Sequence, residues 1–200
     1  MSKISLVVGL MVVVAGAGHA RADGDAAKPM MGVGGGKAPC DMVSAPDGKA
    51  KCKAGAPVSV DKLGKASLLT AGAVKTGITF AVGIAGADSH TYLSDSITVQ
   101  GNDGMAAKDT LVSATPKLRV IAKKFVVLEV QEKFDRVPGQ TAKPVHTKWT
   151  RAEYLICKPT EGGVNCAHRA FGADGKSCTA SMGDDGTLTH ACSETEAFGE

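Results

Sequence analysis

Residues 157–166, CKPTEGGVNC, hold two cysteines at the ends of a segment that predicts a β-hairpin. A two-residue loop at 161–162 sets Cys157 opposite Cys166 at a non-hydrogen-bonded position of the strand pair. The α-carbons of such a pair lie about 4.5 Å apart, a separation that a disulfide tolerates. Pro159 also falls at a non-hydrogen-bonded position, where its missing N–H costs no ladder bond. This decapeptide therefore predicts an antiparallel hairpin closed by a disulfide.

A second hairpin of the same kind is predicted immediately downstream. A three-residue loop over 184–186, DDG, places glycine at the position where the left-handed conformation is favoured. Counting outward from this loop sets Met182 opposite Leu188 and Cys178 opposite Cys192. The last third of the chain is therefore expected to be a meander that contains two disulfide-stapled hairpins.

The cysteines as a set indicate an oxidising compartment. Their number is even and all of them follow residue 39, which in an exported protein predicts three disulfides. The chain has no Cys-x-x-Cys sequence, so redox chemistry of the thioredoxin kind is not indicated. The turn between Cys40 and Cys52 does not predict their pairing, because its register would set Met42 opposite Cys52. These two cysteines are paired by elimination, since the other four are assigned to the two hairpins. The predicted disulfide cysteines are Cys40, Cys52, Cys157, Cys166, Cys178 and Cys192.

Alternation of apolar and polar residues extends the β prediction upstream. Val126, Leu128 and Val130 share one face, whereas Glu129 and Gln131 point the other way. Residues 78–85 alternate as well, and their small face (Thr79, Ala81, Gly83, Ala85) is expected either to pack closely against another layer or to floor a groove. A helical alternative exists over 61–71, DKLGKASLLTA, where Gly64 weakens it.

These patterns predict an all-β fold of about eight to ten antiparallel strands. We expect a single antiparallel β-sandwich or a partly open barrel or meander, with the two stapled hairpins at its C-terminal end. Three segments are predicted: a signal peptide over 1–22, a flexible leader rich in Gly, Ala and Pro over 23–39, and one disulfide-bonded β domain over 40–200.

The first 22 residues have the pattern of a secretory signal. Lys3 is followed by an apolar run and then by Ala20-Arg21-Ala22, so cleavage is expected before Asp23. The run is interrupted by glycines and is shorter than the roughly 20 apolar residues that a spanning helix needs. Cleavage removes two of the 23 basic residues and none of the 20 acidic ones, which leaves a net charge of about +1. Such a domain has no electrostatic reason to bind nucleic acid.

Four residues are the candidate binding residues: Trp149, Arg151, His168 and His190. Trp149 lies on a predicted strand with cationic residues nearby. Its ring could be an aromatic platform for a ligand or the one large ring of the core, and its size favours the core. His168 and His190 share a strand face with a hairpin cysteine. Packing of the two hairpins would bring these histidines together with Glu153 or Asp174, a candidate metal or proton-transfer site.

No catalytic or metal-binding motif stands out. The histidines lack the spacing of a zinc motif, and no Gly-x-Ser-x-Gly elbow is present, so a non-catalytic protein is favoured over an enzyme. The predicted function is a binding or structural module of the cell envelope, periplasmic or secreted, without a cofactor. Its partner is expected to be an envelope protein, a glycan or a small apolar ligand. The alternatives are a small secreted hydrolase that uses His168 or His190, and a barrel that carries an apolar ligand.

Overall fold

The computed structural model describes residues 28–29, 31–32, 38–61, 63–86, 90–139, 145–160, 163–173 and 175–192. The predicted signal peptide lies outside these residues. Among them, no helix is long and apolar enough to cross a membrane. The described elements are a short 3₁₀ helix (Pro39–Met42) and the strands β1 (Lys28–Pro29), β2 (Met31–Gly32), β3 (Lys53–Ala54), β4 (Val58–Val60), β5 (Gly64–Ala73), β6 (Gly77–Ala85), β7 (Thr91–Leu93), β8 (Ile97–Val99), β9 (Asn102–Asp103), β10 (Ala107–Ile121), β11 (Phe125–Pro138), β12 (Thr147–Thr160), β13 (Gly163–Phe171), β14 (Cys178–Met182) and β15 (Leu188–Cys192).

The all-β prediction is confirmed. Eight of the described strands have five or more residues, and seven strands of two or three residues account for the excess over the eight to ten expected. Six strands form one sheet in the order β1-β13-β12-β11-β10-β9, here called the meander sheet. The other main sheet, here called the second sheet, has the order β2-β7-β6-β5-β3, with β4 on β5 and β8 on β6. The named strand pairs in both sheets are antiparallel.

The two sheets pack face to face around the main core. Alternation along β11 and β12 turns one set of side chains towards the second sheet, and this side of the meander sheet is here called its inner face. Burial of each Val, Leu, Ile or Phe side chain contributes about 1.5–3 kcal/mol, so this cluster is the main source of stability. Its members from the meander sheet include Leu111, Val126, Leu128, Val130, Phe134, Trp149 and Leu155, and those from the second sheet include Ala66, Ile78, Phe80, Val82, Ile84, Ile97 and Val99.

The C-terminal hairpin covers the outer face of the meander sheet. Cys178 and Met182 of β14 join a second apolar cluster with Val127, Tyr154 and Phe171. The Tyr154 hydroxyl donates a hydrogen bond of 2.7 Å to the carbonyl oxygen of Ala180, which satisfies the polar end of a buried ring. The meander sheet is therefore buried on both faces along β12.

The segment closed by the Cys40–Cys52 disulfide covers the outer face of the second sheet in a similar way. Its Val43 and Ala45 pack on Leu69 and Ala81 in a third cluster. A Cβ built at Gly83 would lie 3.2 Å from the Cβ of Pro39, so the small face of β6 lets this segment approach closely. Of the two predicted roles for that face, close packing is the one observed.

Both predicted hairpin registers are confirmed. Cys157 pairs with Cys166 and Cys178 with Cys192, each across two antiparallel strands and joined by a disulfide. Gly186 has a φ of +87°, as the three-residue loop requires, whereas residues 161–162 lie outside the described residues. Cys40 also bonds to Cys52, in agreement with the pairing by elimination.

The helical alternative over 61–71 is wrong, because residues from Gly64 onward form β5 and pair along its length with β6, which outweighs local helix propensity. Within the predicted leader, Lys28–Pro29 pairs with β13 and Met31–Gly32 pairs with β7. The boundaries of the three predicted segments remain a prediction.

Candidate functional site

Four charged or titratable side chains meet on the inner face of the meander sheet. Glu132 lies on β11, Arg151 and Glu153 on β12, and His168 on β13. The register sets Glu132 directly opposite Arg151, Val130 opposite Glu153 and Leu155 opposite His168. Side chains two residues apart on a strand share a face, so all four lie on the same side as the core residues Val130 and Leu155. This group is here called the inner-face cluster.

Glu153 is the centre of the cluster. It is buried, and its two carboxylate oxygens have different partners. Arg151 donates from Nη2 to Oε1 at 2.5 Å, and Nε2 of His168 lies 2.5 Å from Oε2. The side chains of Arg151 and His168 are 34% and 33% exposed. One buried carboxylate thus holds two partly exposed groups side by side.

Glu132 differs from Glu153 because no cationic side chain of the described residues donates to it, although a hydrogen bond with the Glu153 carboxyl group contributes to its raised pKa. It is 1% exposed, and neither carboxyl oxygen meets a donor among the described residues. Burial, and then the charge of the Glu153 carboxylate, raise the pKa of Glu132 to about 8, against a lowering effect of Arg151. The Nε atom of Arg151 is likewise buried without a partner. At neutral pH, Glu132 therefore holds a proton.

The two candidate histidines lie in different places. His168 contacts Glu153, one of the two carboxylates that the sequence offered, and the other, Asp174, lies outside the described residues. His190 is exposed on the C-terminal hairpin, where its ring stacks on Phe171 with centroids 4.7 Å apart. Phe171 belongs to the cluster on the outer face and His168 points from the inner face, so the meander sheet separates the two histidines. Their predicted convergence is wrong.

Trp149 is a core residue. It is 6% exposed and stacks on Phe134 with ring centroids 4.5 Å apart. Its Nε1 donates a hydrogen bond of 3.0 Å to Oδ1 of Asp109, and Arg136 lies over the ring at 5.8 Å. A platform for a ligand needs an exposed ring face, so the geometry supports the core interpretation of Trp149.

Glu132 is the cluster residue that the sequence interpretation missed. The alternation that places Val126, Leu128 and Val130 on the core face continues to position 132, where a glutamate stands. A charged residue at a core position is rarely buried without a partner. That break in the pattern was the available signal, and Phe134 restores the apolar series two residues later.

The chemistry of the cluster suits hydrogen bonding more clearly than metal binding. Within the described ranges, no group of three or more His, Cys, Asp or Glu residues is arranged to hold a metal ion. The side chains of Arg151 and His168 are partly exposed, whereas Glu132 and Glu153 are buried. The accessible part of the cluster therefore offers donors to a ligand that carries acceptors.

Comparison of this chain with protein-family models, with curated proteins and with solved structures found no match.

Proposed function

We propose that this protein is an exported, non-catalytic binding module that holds a carboxylate-bearing ligand against Arg151 and His168. The observation that carries this proposal is the double contact of Glu153, which fixes the arginine and the histidine beside each other. Groups whose orientation is fixed in advance lose little conformational entropy when a ligand binds. A site of this kind is thus ready to accept a ligand.

The donors favour a carboxylate over other groups. The planar guanidinium of arginine matches the two oxygens of a carboxylate, and charge-assisted hydrogen bonds of this type are the strong ones. Glu153 engages Nε2 of His168, so Nδ1 lies on the side of the ring away from Glu153 and donates to a ligand only when the ring is the imidazolium cation. The proton on Glu132 also removes a negative charge that would repel such a ligand. A cationic ligand would instead meet the outward-facing arginine.

The proposed location is the periplasm or the secreted space. Three disulfides are typical of proteins in oxidising compartments. The predicted signal peptide supports the same location. An intact mass that begins at Asp23, about six hydrogens below the reduced mass, is the expected result for the exported protein.

A panel of three small sugars tests the proposed site. We expect glucuronate to bind the exported chain with a Kd on the order of 1 mM, since a single small group provides about 4 kcal/mol. Glucose has the same ring without the carboxylate and should bind at least about tenfold more weakly, as should the cationic glucosamine. Isothermal titration measures all three affinities.

Three variants locate the binding. Arg151→Ala and His168→Ala should each weaken glucuronate binding about tenfold or more, because a charge-assisted hydrogen bond contributes about 1.5–3 kcal/mol. His190→Ala is the matched control, a strand histidine outside the cluster, and should bind like the natural chain. Equal affinity for glucuronate and glucose, or an equal loss in all three variants, would contradict the proposal.

A secreted hydrolase that uses His168 is the second candidate. Its support is the contact between His168 and Glu153, because a buried carboxylate that orients a histidine is the usual arrangement of a general base. All six cysteines are in disulfides, so the nucleophile would not be a cysteine thiolate. Turnover of chromogenic esters or glycosides by the natural chain, lost in folded His168→Ala, would favour this candidate. The third alternative, an apolar carrier, stays a prediction.

A further inference from the structure

We propose that Glu132 is a proton-operated switch for Arg151: protonated Glu132 leaves Arg151 bound to Glu153, and ionised Glu132 draws Arg151 towards itself. The proton step concerns Glu132 and Arg151 alone. Its consequence for a ligand rests on the proposed function, because Arg151 is one of the two proposed ligand-binding groups.

The first support is that two buried carboxylates share one arginine. Glu132 lies directly opposite Arg151 across β11 and β12, and Glu153 lies two residues further along β12 on the same face. Arg151 uses Nη2 for Glu153, while its buried Nε has no partner. Side chains directly opposite each other in an antiparallel pair are close neighbours, so Glu132 is within reach of the same guanidinium.

The second support is the surroundings of Glu132, which favour its neutral form. The charged groups that act on it are Glu153, which repels its ionised form, and Arg151, which attracts it; His168 contacts Glu153 from β13. On its other side, β10 sets Ala114 opposite Glu132. The second sheet contributes apolar side chains such as Phe80 and Val82 to the core opposite this face. Among the residues that the structure describes, Arg151 is therefore the cation whose charge favours the ionised form of Glu132.

The step itself is a single proton transfer. The O–H bond of the Glu132 carboxyl breaks, the proton passes to a base in solution, and the negative charge stays on Glu132. Burial without a donor makes this charge unfavourable until a cation approaches. Movement of Arg151 towards Glu132 satisfies the new charge, and it separates the guanidinium from His168. The pair of donors that faces a ligand is then lost at alkaline pH.

Nuclear magnetic resonance of the full exported chain tests the switch without a ligand. The side-chain carboxyl carbons of glutamate and the Nε atoms of arginine are labelled, and the signals are followed from about pH 5 to about pH 10. We expect one glutamate carboxyl to titrate near pH 8, and the Arg151 signal to shift with the same midpoint. The Arg136 signal serves as an internal control, because Asp109 holds that guanidinium in two hydrogen bonds.

Two variants assign the titration. Glu132→Gln keeps the shape of the side chain without an ionisable group, so both the alkaline carboxyl titration and the Arg151 shift should be lost. Glu129→Gln is the matched control on the same strand, and both signals should persist in it. An Arg151 signal that stays constant, or that shifts equally in Glu132→Gln, would overturn the proposal. If Glu132→Gln does not fold, the titration of the unsubstituted protein still tests the switch. Different midpoints for the glutamate carboxyl signal and the Arg151 signal would contradict it.

The outcome is independent of the proposed function. A titration with coincident midpoints in a protein that does not bind glucuronate would support the switch and reject the ligand. Glucuronate binding without an Arg151 shift would reject the switch and support the ligand.

Discussion

Asp109 and Glu132 are two buried carboxylates on the same face of the meander sheet, and each lies directly opposite an arginine. Asp109 accepts hydrogen bonds from Nε and Nη2 of Arg136, both at 2.9 Å, and one from Trp149. Glu132 accepts none. Both sites therefore set a carboxyl group opposite an arginine, but only Asp109 is hydrogen-bonded to the arginine opposite it.

The pKa of each carboxyl follows its number of donors. Burial acts to raise the pKa of Asp109, but the hydrogen bonds from Arg136 and Trp149 outweigh it and hold that pKa below its usual value. Glu132 is more deeply buried than Asp109, no donor in the described part of the chain offsets this burial, and the charge of Glu153 adds to its effect, so the pKa of Glu132 rises to about 8. Arg151 is bound to Glu153, so its position opposite Glu132 is not sufficient. Register alone therefore does not make a cross-strand ion pair, since Arg136 donates to Asp109 whereas Arg151 donates to Glu153.

Of the substitutions at these two carboxyl groups, removal of Asp109 should change the free energy of unfolding the most. Asp109→Ala leaves Arg136 and the Trp149 N–H without their buried acceptor, which costs about 3–5 kcal/mol of unfolding free energy. The folded pKa of Asp109 is lowered, so its stabilisation is present above the usual pKa of 3.8 and is lost as pH falls through the folded pKa. Urea unfolding at neutral and at acid pH measures both effects.

The control for Asp109 is an exposed carboxylate on a neighbouring strand. Asp103 lies 3.2 Å from Lys108, and both side chains are mostly exposed. Asp103→Ala should therefore cost no more than about 1 kcal/mol. An equal cost for the two variants would show that the buried pair at Asp109 is not a special source of stability.

Replacement of Glu132 by an apolar residue should raise the free energy of unfolding, whereas removal of Asp109 lowers it. Glu132→Leu removes a buried carboxyl without a partner and continues the series of Val130 and Phe134, so we expect a gain of about 1–3 kcal/mol. The folded pKa of Glu132 is raised, so its proton is bound in the folded state and stability of the natural chain falls as pH rises from 4.5 to about 8. The gain in Glu132→Leu should therefore grow over the same interval.

Glu129 provides the matched replacement. It lies on the same strand as Glu132 but points to the outer face, where Gln131 donates to it at 3.0 Å and Arg119 lies 3.5 Å away. Glu129→Leu removes a carboxylate that has partners, and it should lower stability at neutral pH. If Glu132→Leu were also destabilising at pH 8, the contrast between satisfied and unsatisfied carboxylates would fail.

The smallest effect is expected at the third donor to Asp109. Trp149→Phe keeps an aromatic ring beside Phe134 and removes the indole N–H, for which we expect a loss of about 1–2 kcal/mol. The pKa of Asp109 should rise towards its usual value, because one of the hydrogen bonds that lower it is gone. Carboxyl-carbon resonance of labelled aspartate measures that pKa, and an unchanged value would remove Trp149 from the explanation.

Much of the fold was predictable because its signals are local. Loop length and glycine position fix the register of a hairpin within a few residues, so the partners of Cys157 and Cys178 followed from counting. The strand β5 was less certain from sequence. Its residues do not alternate strictly, and pairing with β6 decided its conformation.

The site was only partly predictable. Packing of the two hairpins was the predicted cause of a contact between Glu153 and His168, but the pairing of β12 with β13 produces it. Arg151, His168 and Glu153 were nevertheless expected as candidates for a site. The separation of His168 from His190 was not, since it depends on which face of the meander sheet the last hairpin covers. Glu132 was visible as a break in the apolar series and was not singled out.

By itself, the sequence determined the secondary-structure class, the two hairpin registers and the faces on which side chains lie, because these depend on neighbours a few residues away. The tertiary structure decided which carboxylate each arginine binds and which layer covers each sheet. Those outcomes depend on competition between groups that are distant in the chain, and burial then fixes their free energies. Asp109 and Glu132 each lie opposite an arginine by register, and only the packed structure gives Asp109 its donors and leaves Glu132 with a proton.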